Sequence, residues 1–481
     1  MSARFLLFVV FVALILPGAF ALQDTPPPGF QEKTRAILDT VKRGEVTENI
    51  TSASDPEQSY AVYLPSDYKL SRKWPALFLM DPRGRARVPL DRFVEVAERR
   101  GYILVSSYNT ASDTSADGNT PALSAMLTDA NYMFSINSTR FYLAGFSGTA
   151  RVAWILASQL GQNVAGIIAF GGGFPGDYRP PQRTRYAYYG AAGWIDFNYE
   201  EMRALDRELD GHEIAHRVEY FDGSHQWGPS EVCTRAVEWM ELQAVRTGLR
   251  AGNDGIIDDV YERRLSEAES SEDPYETYLR VRALVEDFDG LVEPADLEKL
   301  AARVSDLAKL EEVKDALELE EELAEKRIGY MGRLSRFLLR FEAGDELWTV
   351  RDVVRELRIA ELQKESEEVS HPRKARAAQR LLEYLFVTTS FYLPRQYLEE
   401  KEPTRALSML EVAERIRPGS FGSLVFFARA YAQKGDEKKA IESLRKACEI
   451  RPLTQEFLAN DPYFDRIREE PGFKELFQSL K

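Results

Sequence analysis

Three residues whose types can do covalent chemistry each stand just beyond a stretch of strand character: Ser147, Asp196 and His225. Ser147 is the apex of Gly145-Phe146-Ser147-Gly148, between the apolar run Phe141-Tyr142-Leu143 and a run of small and apolar residues with helical spacing. A strand, a tight turn and a helix in that order expose the apical hydroxyl on a strained backbone, and the flanking glycines make room for the crossing. A serine hydroxyl is a poor nucleophile until a base reaches it. His225, in Gly223-Ser224-His225-Gln226-Trp227, stands where that base is needed, to take the proton and return it to a leaving group. Asp196, in Gly193-Trp194-Ile195-Asp196, stands where the imidazole tautomer would be held and the imidazolium stabilised. Each residue also has a structural reading. Ser147 could satisfy a turn, His225 could be a loop histidine packed on Trp227, and Asp196 could cap the helix that begins at Phe197, leaving Asp222 as the next acid.

Positioning these groups requires a sheet. Strand patterns recur at 60–64, 74–80, 102–106, 165–170, 185–189 and 217–221 besides the run before Ser147, with helical stretches at 90–99 and 122–134 between them. Buried strands alternating with helices predict a mostly parallel sheet covered on both faces, with reactive groups on loops beyond the carboxyl ends of its strands. The order Ser147, Asp196, His225 is one of the few chain orders in which this triad occurs. An oxyanion site needs two donors near the serine. One is the amide of Gly148. Pro82, in Met80-Asp81-Pro82-Arg83-Gly84, has no amide hydrogen, so the second donor is expected from Arg83 and, failing that, Gly84. Thr149 stands where the nucleophile motif usually has its last glycine and is read as tolerated. Phe146, Trp194, Phe197 and Trp227 are candidates for an aromatic substrate wall or for core.

Residues 58–250 resemble the α/β-hydrolase superfamily, most closely its secreted esterases akin to dienelactone hydrolases and polyhydroxybutyrate depolymerases. The resemblance rests on the Gly-Phe-Ser elbow and the histidine loop 223–227. It implies hydrolysis of a small carboxylic ester through an acyl-serine intermediate, without a cofactor. The altered loop at Asp81-Pro82 and Thr149 keep open a second reading, an inactive hydrolase-fold scaffold. A third is a serine peptidase.

Beyond residue 250 strand patterns vanish and charged helical patterns take over, including an acidic run at 311–325. Ala406, Leu410, Ala413 and Pro418 recur 34 positions later as Ala440, Leu444, Ala447 and Pro452. This resembles the tetratricopeptide repeat, whose small residues let antiparallel helices pack closely. The second copy, 421–452, is the better match, because Pro394 is expected to interrupt the first helix of the copy at 387–418. Residues 251–385 are read as a helical region that could hold degenerate repeats, and 386–481 as repeats with capping helices that either brace the hydrolase domain or hold a protein or peptide partner.

The chain has 481 residues and a formal net charge of -15, which argues against a nucleic-acid partner because phosphate neutralisation needs a basic face. Four histidines and two separated cysteines, Cys233 and Cys448, form no metal motif. Residues 1–21, one arginine before an apolar run closing on Ala19-Phe20-Ala21, predict a cleaved export signal followed by a leader at 22–57, hence a periplasmic or secreted protein. No later stretch is apolar enough to predict stable membrane insertion.

Overall fold

The computed structural model describes residues 29–112, 119–181, 184–250, 255–342 and 349–480. The expected export signal lies outside them. Eight strands form one sheet: β1 (Val46–Thr51), β2 (Ser59–Tyr63), β3 (Trp74–Met80), β4 (Ile103–Ser107), β5 (Ile136–Phe146), β6 (Val164–Phe170), β7 (Ala187–Gly193) and β8 (His216–Phe221). Their order is β1-β2-β4-β3-β5-β6-β7-β8. β2 runs antiparallel to both neighbours and every pair from β4 to β8 is parallel. Every residue of β3, β4, β6 and β7 is buried, and β3 and β6 are accordingly apolar throughout.

The helices of this part are α1 (Phe30–Thr40), α2 (Arg87–Arg100), α3 (Thr120–Met133), α4 (Gly148–Leu160), α5 (Tyr199–Asp210) and α6 (Ser230–Arg246). Leu123 and Met126 of α3, Ala153 and Trp154 of α4, and Met202 and Leu205 of α5 share one core with Phe78 and Leu143 of the sheet. Phe93 and Val96 of α2 and Val237 and Met240 of α6 share the opposite core with Leu77 and Tyr142. A sheet of this order with its strand–elbow–helix after β5 is the α/β-hydrolase arrangement the sequence predicts. β1, by contrast, is not among the predicted strands. Its sequence, VTENIT, has one buried residue, Ile50, and carries no alternation to read.

Contacts divide the chain into two compact units, 1–321 and 322–481. The first therefore runs well past the composition shift at 250. It takes in α7 (Ile256–Glu269), α8 (Pro274–Phe288), α9 (Pro294–Leu307) and the start of α10 (Glu311–Glu342). Leu242 of α6 packs in one core with Ile257, Val260, Val281, Leu284 and Phe288. Buried charge joins it there. The Asp287 carboxylate, 3% exposed, pairs with Arg217 Nη2 at 2.6 Å and Arg264 Nη2 at 2.7 Å. It also accepts from Trp239 Nε1 at 2.8 Å. Burial alone would raise its pKa, but Arg264 and Arg217 outweigh that and hold it below the ordinary carboxylate value. Glu238 of α6 pairs with Arg100 and Arg263, and Glu241 with Arg140 and Arg250.

The second unit holds α11 (Val350–Glu356), α12 (Ile359–Ser366), α13 (Pro372–Val387), α14 (Leu393–Glu399), α15 (Pro403–Ile416), α16 (Phe421–Lys434), α17 (Glu437–Ile450), α18 (Gln455–Asn460) and α19 (Pro471–Ser479). α15 and α17 begin at Pro403 and Glu437, which keeps the 34-residue offset of the sequence pattern. The small residues of that pattern, Ala406, Ala413, Ala440 and Ala447, have no exposed surface. Pro394 does not break the chain as expected: a π-helical turn at Thr388–Tyr392 joins α13 to α14, and Pro394 falls in the first turn of α14. The π turn loosens the backbone ladder just ahead of Pro394, where a regular α-helical interior would lose a bond and meet the proline ring.

Candidate active site

Ser147 joins β5 to α4 with φ 56° and ψ -122°, a left-sided backbone rare for a residue with a side chain. Its neighbours must be bare to allow it. A Cβ on Gly145 would lie 2.4 Å from Thr149 O, and one on Gly172 the same distance from Ser147 O. The Ser147 amide donates to Phe170 O at 2.8 Å, which pins the elbow to the end of β6.

The three residues singled out in the sequence meet here. Ser147 Oγ lies 2.9 Å from His225 Nε2. His225 Nδ1 lies 2.9 and 3.0 Å from the two carboxylate oxygens of Asp196, which has no exposed surface. Asp196 follows β7 and His225 follows β8, so each member arrives on the carboxyl end of a different parallel strand. Asp196 does not cap α5; that position is Asn198, whose amide donates to Asp196 Oδ1 at 2.7 Å. Asn198 Nδ2 in turn donates to Gly171 O at 2.8 Å. The imidazole lies against two phenyl rings, Phe197 at 4.1 Å and Phe146 at 4.6 Å between centroids. These contacts fix the ring plane while leaving the line from Nε2 to Oγ open.

The other predicted residues are placed differently. Trp227 is 3% exposed, and its indole N–H donates to Asp81 Oδ2 at 2.9 Å, so it is an internal brace and does not line open space. Trp194 packs on Tyr220 and Tyr199 at 5.3 and 5.7 Å. Arg83 does not direct its amide at the serine: that N–H donates to Asp81 Oδ1 at 2.9 Å. The amide and Nε of Arg85 reach the same oxygen at 3.2 and 2.9 Å, and Gly84 N donates to Asp81 O at 3.1 Å. Asp81 is fully buried; burial would raise its pKa, yet the bonds from Arg85, Trp227 and Arg83 outweigh it and hold the carboxyl below its ordinary value. Sequence reasoning named Asp81 only as a departure from a motif. Its one legible signal was an acid in an apolar run beside Pro82.

Thr149 is more than tolerated. Its hydroxyl lies 2.6 Å from Met80 O, and the Phe146 amide donates to it at 3.1 Å, so it ties the end of β3 to the elbow. Among the described residues no cluster of three or more His, Cys, Asp or Glu side chains could hold a metal. No helix among them is long and apolar enough to cross a membrane.

No family model matches this chain, and no curated protein matches it. Solved structures similar to it include an S-formylglutathione hydrolase from Staphylococcus aureus, 14% identical over 42% of this chain and 98% of that one, with a TM-score of 0.33. A carboxylesterase from Bacillus cereus is 17% identical over 39% and 94%, TM-score 0.32. A hyperthermophilic esterase from the archaeon Pyrobaculum calidifontis is 12% identical over 45% and 92%, TM-score 0.35. What those proteins act on stays theirs at such identities, and the fold assignment rests on strand order and the elbow.

Proposed function

We propose that this chain is an exported serine hydrolase that cleaves small carboxylic esters through an acyl-serine intermediate. The observation that carries the reading is the unbroken relay from Ser147 Oγ through His225 to buried Asp196. Ser147 Oγ attacks the ester carbonyl carbon while its proton passes to His225 Nε2. The carbon–oxygen bond to the leaving alcohol then breaks, and that alcohol carries the proton away. Water, deprotonated by the same nitrogen, attacks the acyl-serine and releases the acid. Asp196 holds the imidazole in place and stabilises the imidazolium. No step needs a cofactor. Export rests on residues 1–21 of the sequence, and the helices of the second unit are read as tetratricopeptide-like pairs for a protein or peptide partner.

One observation favours a second reading, a scaffold without turnover: the loop after β3 donates its amides to Asp81. Fluorophosphonate labelling of the full mature chain, beside Ser147→Ala and His225→Ala, separates the two. Label on Ser147 that both substitutions abolish supports the hydrolase. A folded wild type that takes no label and leaves short-chain aryl esters intact overturns it.

A further inference from the structure

An acyl-transfer site needs two or more donors on the oxyanion, and this one has an evident shortage. Gly148 is the first residue of α4, so its amide has no intrahelical acceptor and stands at the positive end of the helix. The loop that should supply the partner donor cannot do so with its backbone as it stands. Pro82 has no N–H, and those of Arg83, Gly84 and Arg85 all go to Asp81.

The next polar group at this place comes from the loop after β4. Ser112 is half-buried, and its amide donates to Pro82 O at 2.9 Å, which seats the residue against the loop after β3. Its side chain lies against the elbow: a Cβ built on Gly148 would fall 2.3 Å from Ser112 Cβ and 3.3 Å from Ser112 Oγ. Glycine at 148 is therefore required by Ser112. An ideal Cβ stands about 2.5 Å from its own backbone nitrogen, so Ser112 Oγ is at most about 5.8 Å from Gly148 N. Two hydrogen bonds of about 2.9 Å that meet at one oxygen span up to that distance. A single oxygen can thus be reached by both groups.

We propose that Ser112 is a catalytic residue whose hydroxyl donates to the oxyanion beside the Gly148 amide, replacing the backbone donor that the loop after β3 has turned toward Asp81. The assignment rests on the esterase reading. A hydroxyl hydrogen rotates to suit its acceptor, so the role does not require Ser112 to lack a partner in the resting site. The donor acts as charge builds on the carbonyl oxygen, which assigns it to the transition state and not to substrate binding.

The test compares the full chain with Ser112→Ala, Ser112→Thr and Ser112→Val on a short-chain aryl ester. Removing the hydroxyl is expected to lower kcat by about 10²-fold or more while KM changes little. Thr and Val have the same shape and differ in the hydroxyl alone, so kcat should be well above that of Val in the Thr variant even if Ala perturbs the fold. A trifluoromethyl ketone, which forms a tetrahedral adduct with an oxyanion, should lose affinity by a similar factor in Ser112→Ala, while its methyl ketone counterpart should not. Equal kcat in the Thr and Val variants, or an unchanged kcat in Ser112→Ala, overturns the role of Ser112 and leaves the esterase standing. A wild type that takes no label on Ser147 and turns over no ester overturns both.

Discussion

The two sides of the candidate site are built on different principles. On the triad side, Ser147, Asp196 and His225 come from the ends of β5, β7 and β8, and their polar atoms face one another in a line of bonds near 2.9 Å. On the side of the loop after β3, the polar atoms face inward onto one carboxylate, Asp81, which collects two amides, a guanidinium and an indole. The first side presents groups to a reactant; the second fixes a loop. Rigidity of the loop and supply of a donor are thus separate tasks here, whereas a loop with a free amide performs both.

Substitutions can break this contrast. The largest effect is expected on the triad side, where Ser147→Ala or His225→Ala should lower kcat by about 10⁶-fold and Asp196→Asn by about 10⁴-fold, measured on an aryl ester with the fold checked by circular dichroism. On the loop side, Asp81→Ala should act first on stability. It strands the Arg83 and Arg85 amides and the Trp227 indole, while the half-exposed Arg85 guanidinium can turn to water; at about 1–3 kcal/mol for each stranded donor, a loss of about 3–5 kcal/mol is expected in denaturant unfolding. A triad-like loss of rate without loss of stability would erase the distinction. Asp287→Ala should destabilise the first unit to a similar degree, because it removes the carboxylate that Arg264 and the Trp239 indole reach and leaves Arg217 with Glu286 as its remaining carboxylate, yet the Ser147 label should persist in the folded fraction.

Acid titration sharpens the same point. Asp81 and Asp287 both have folded pKa values depressed below the ordinary carboxylate value, so each contributes stability that is present above about pH 4 and lost as pH falls through the folded value. Asp81→Asn or Asp287→Asn should flatten that acid limb of the unfolding curve. The smallest effect is expected from Thr149→Val, which removes the bond to Met80 O and should cost about 1–3 kcal/mol.

Much of the triad side was legible in the sequence because it is punctuated. Gly145, Gly148, Gly193 and Gly223 mark sharp turns after apolar runs, and each turn carries one reactive residue. The loop side was not, since a carboxylate 146 positions from the indole it holds leaves no local pattern. Trp227 read as substrate wall for the same reason. The shift in composition near residue 250 was real, but it marks the end of strands, not the end of a compact unit. What carries that unit past residue 250 is the apolar core that Leu242 shares with α7 and α8, joined by arginine–carboxylate pairs between distant segments such as Arg217 with Asp287, and charged helices look solvated until their partners are known. β1 escaped because an edge strand with one buried side chain has no period.

Helix α6 has one more consequence. Its Val237 and Met240 belong to one core of the sheet and its Leu242 to the core of α7 and α8, so opening either core uncovers apolar surface of α6. Amide exchange along α6 should therefore report a single cooperative opening shared by the sheet and the helices that follow it. For the chain as it emerges during synthesis, this places completion of the catalytic unit after the residues of α8, well beyond the last residue that does chemistry.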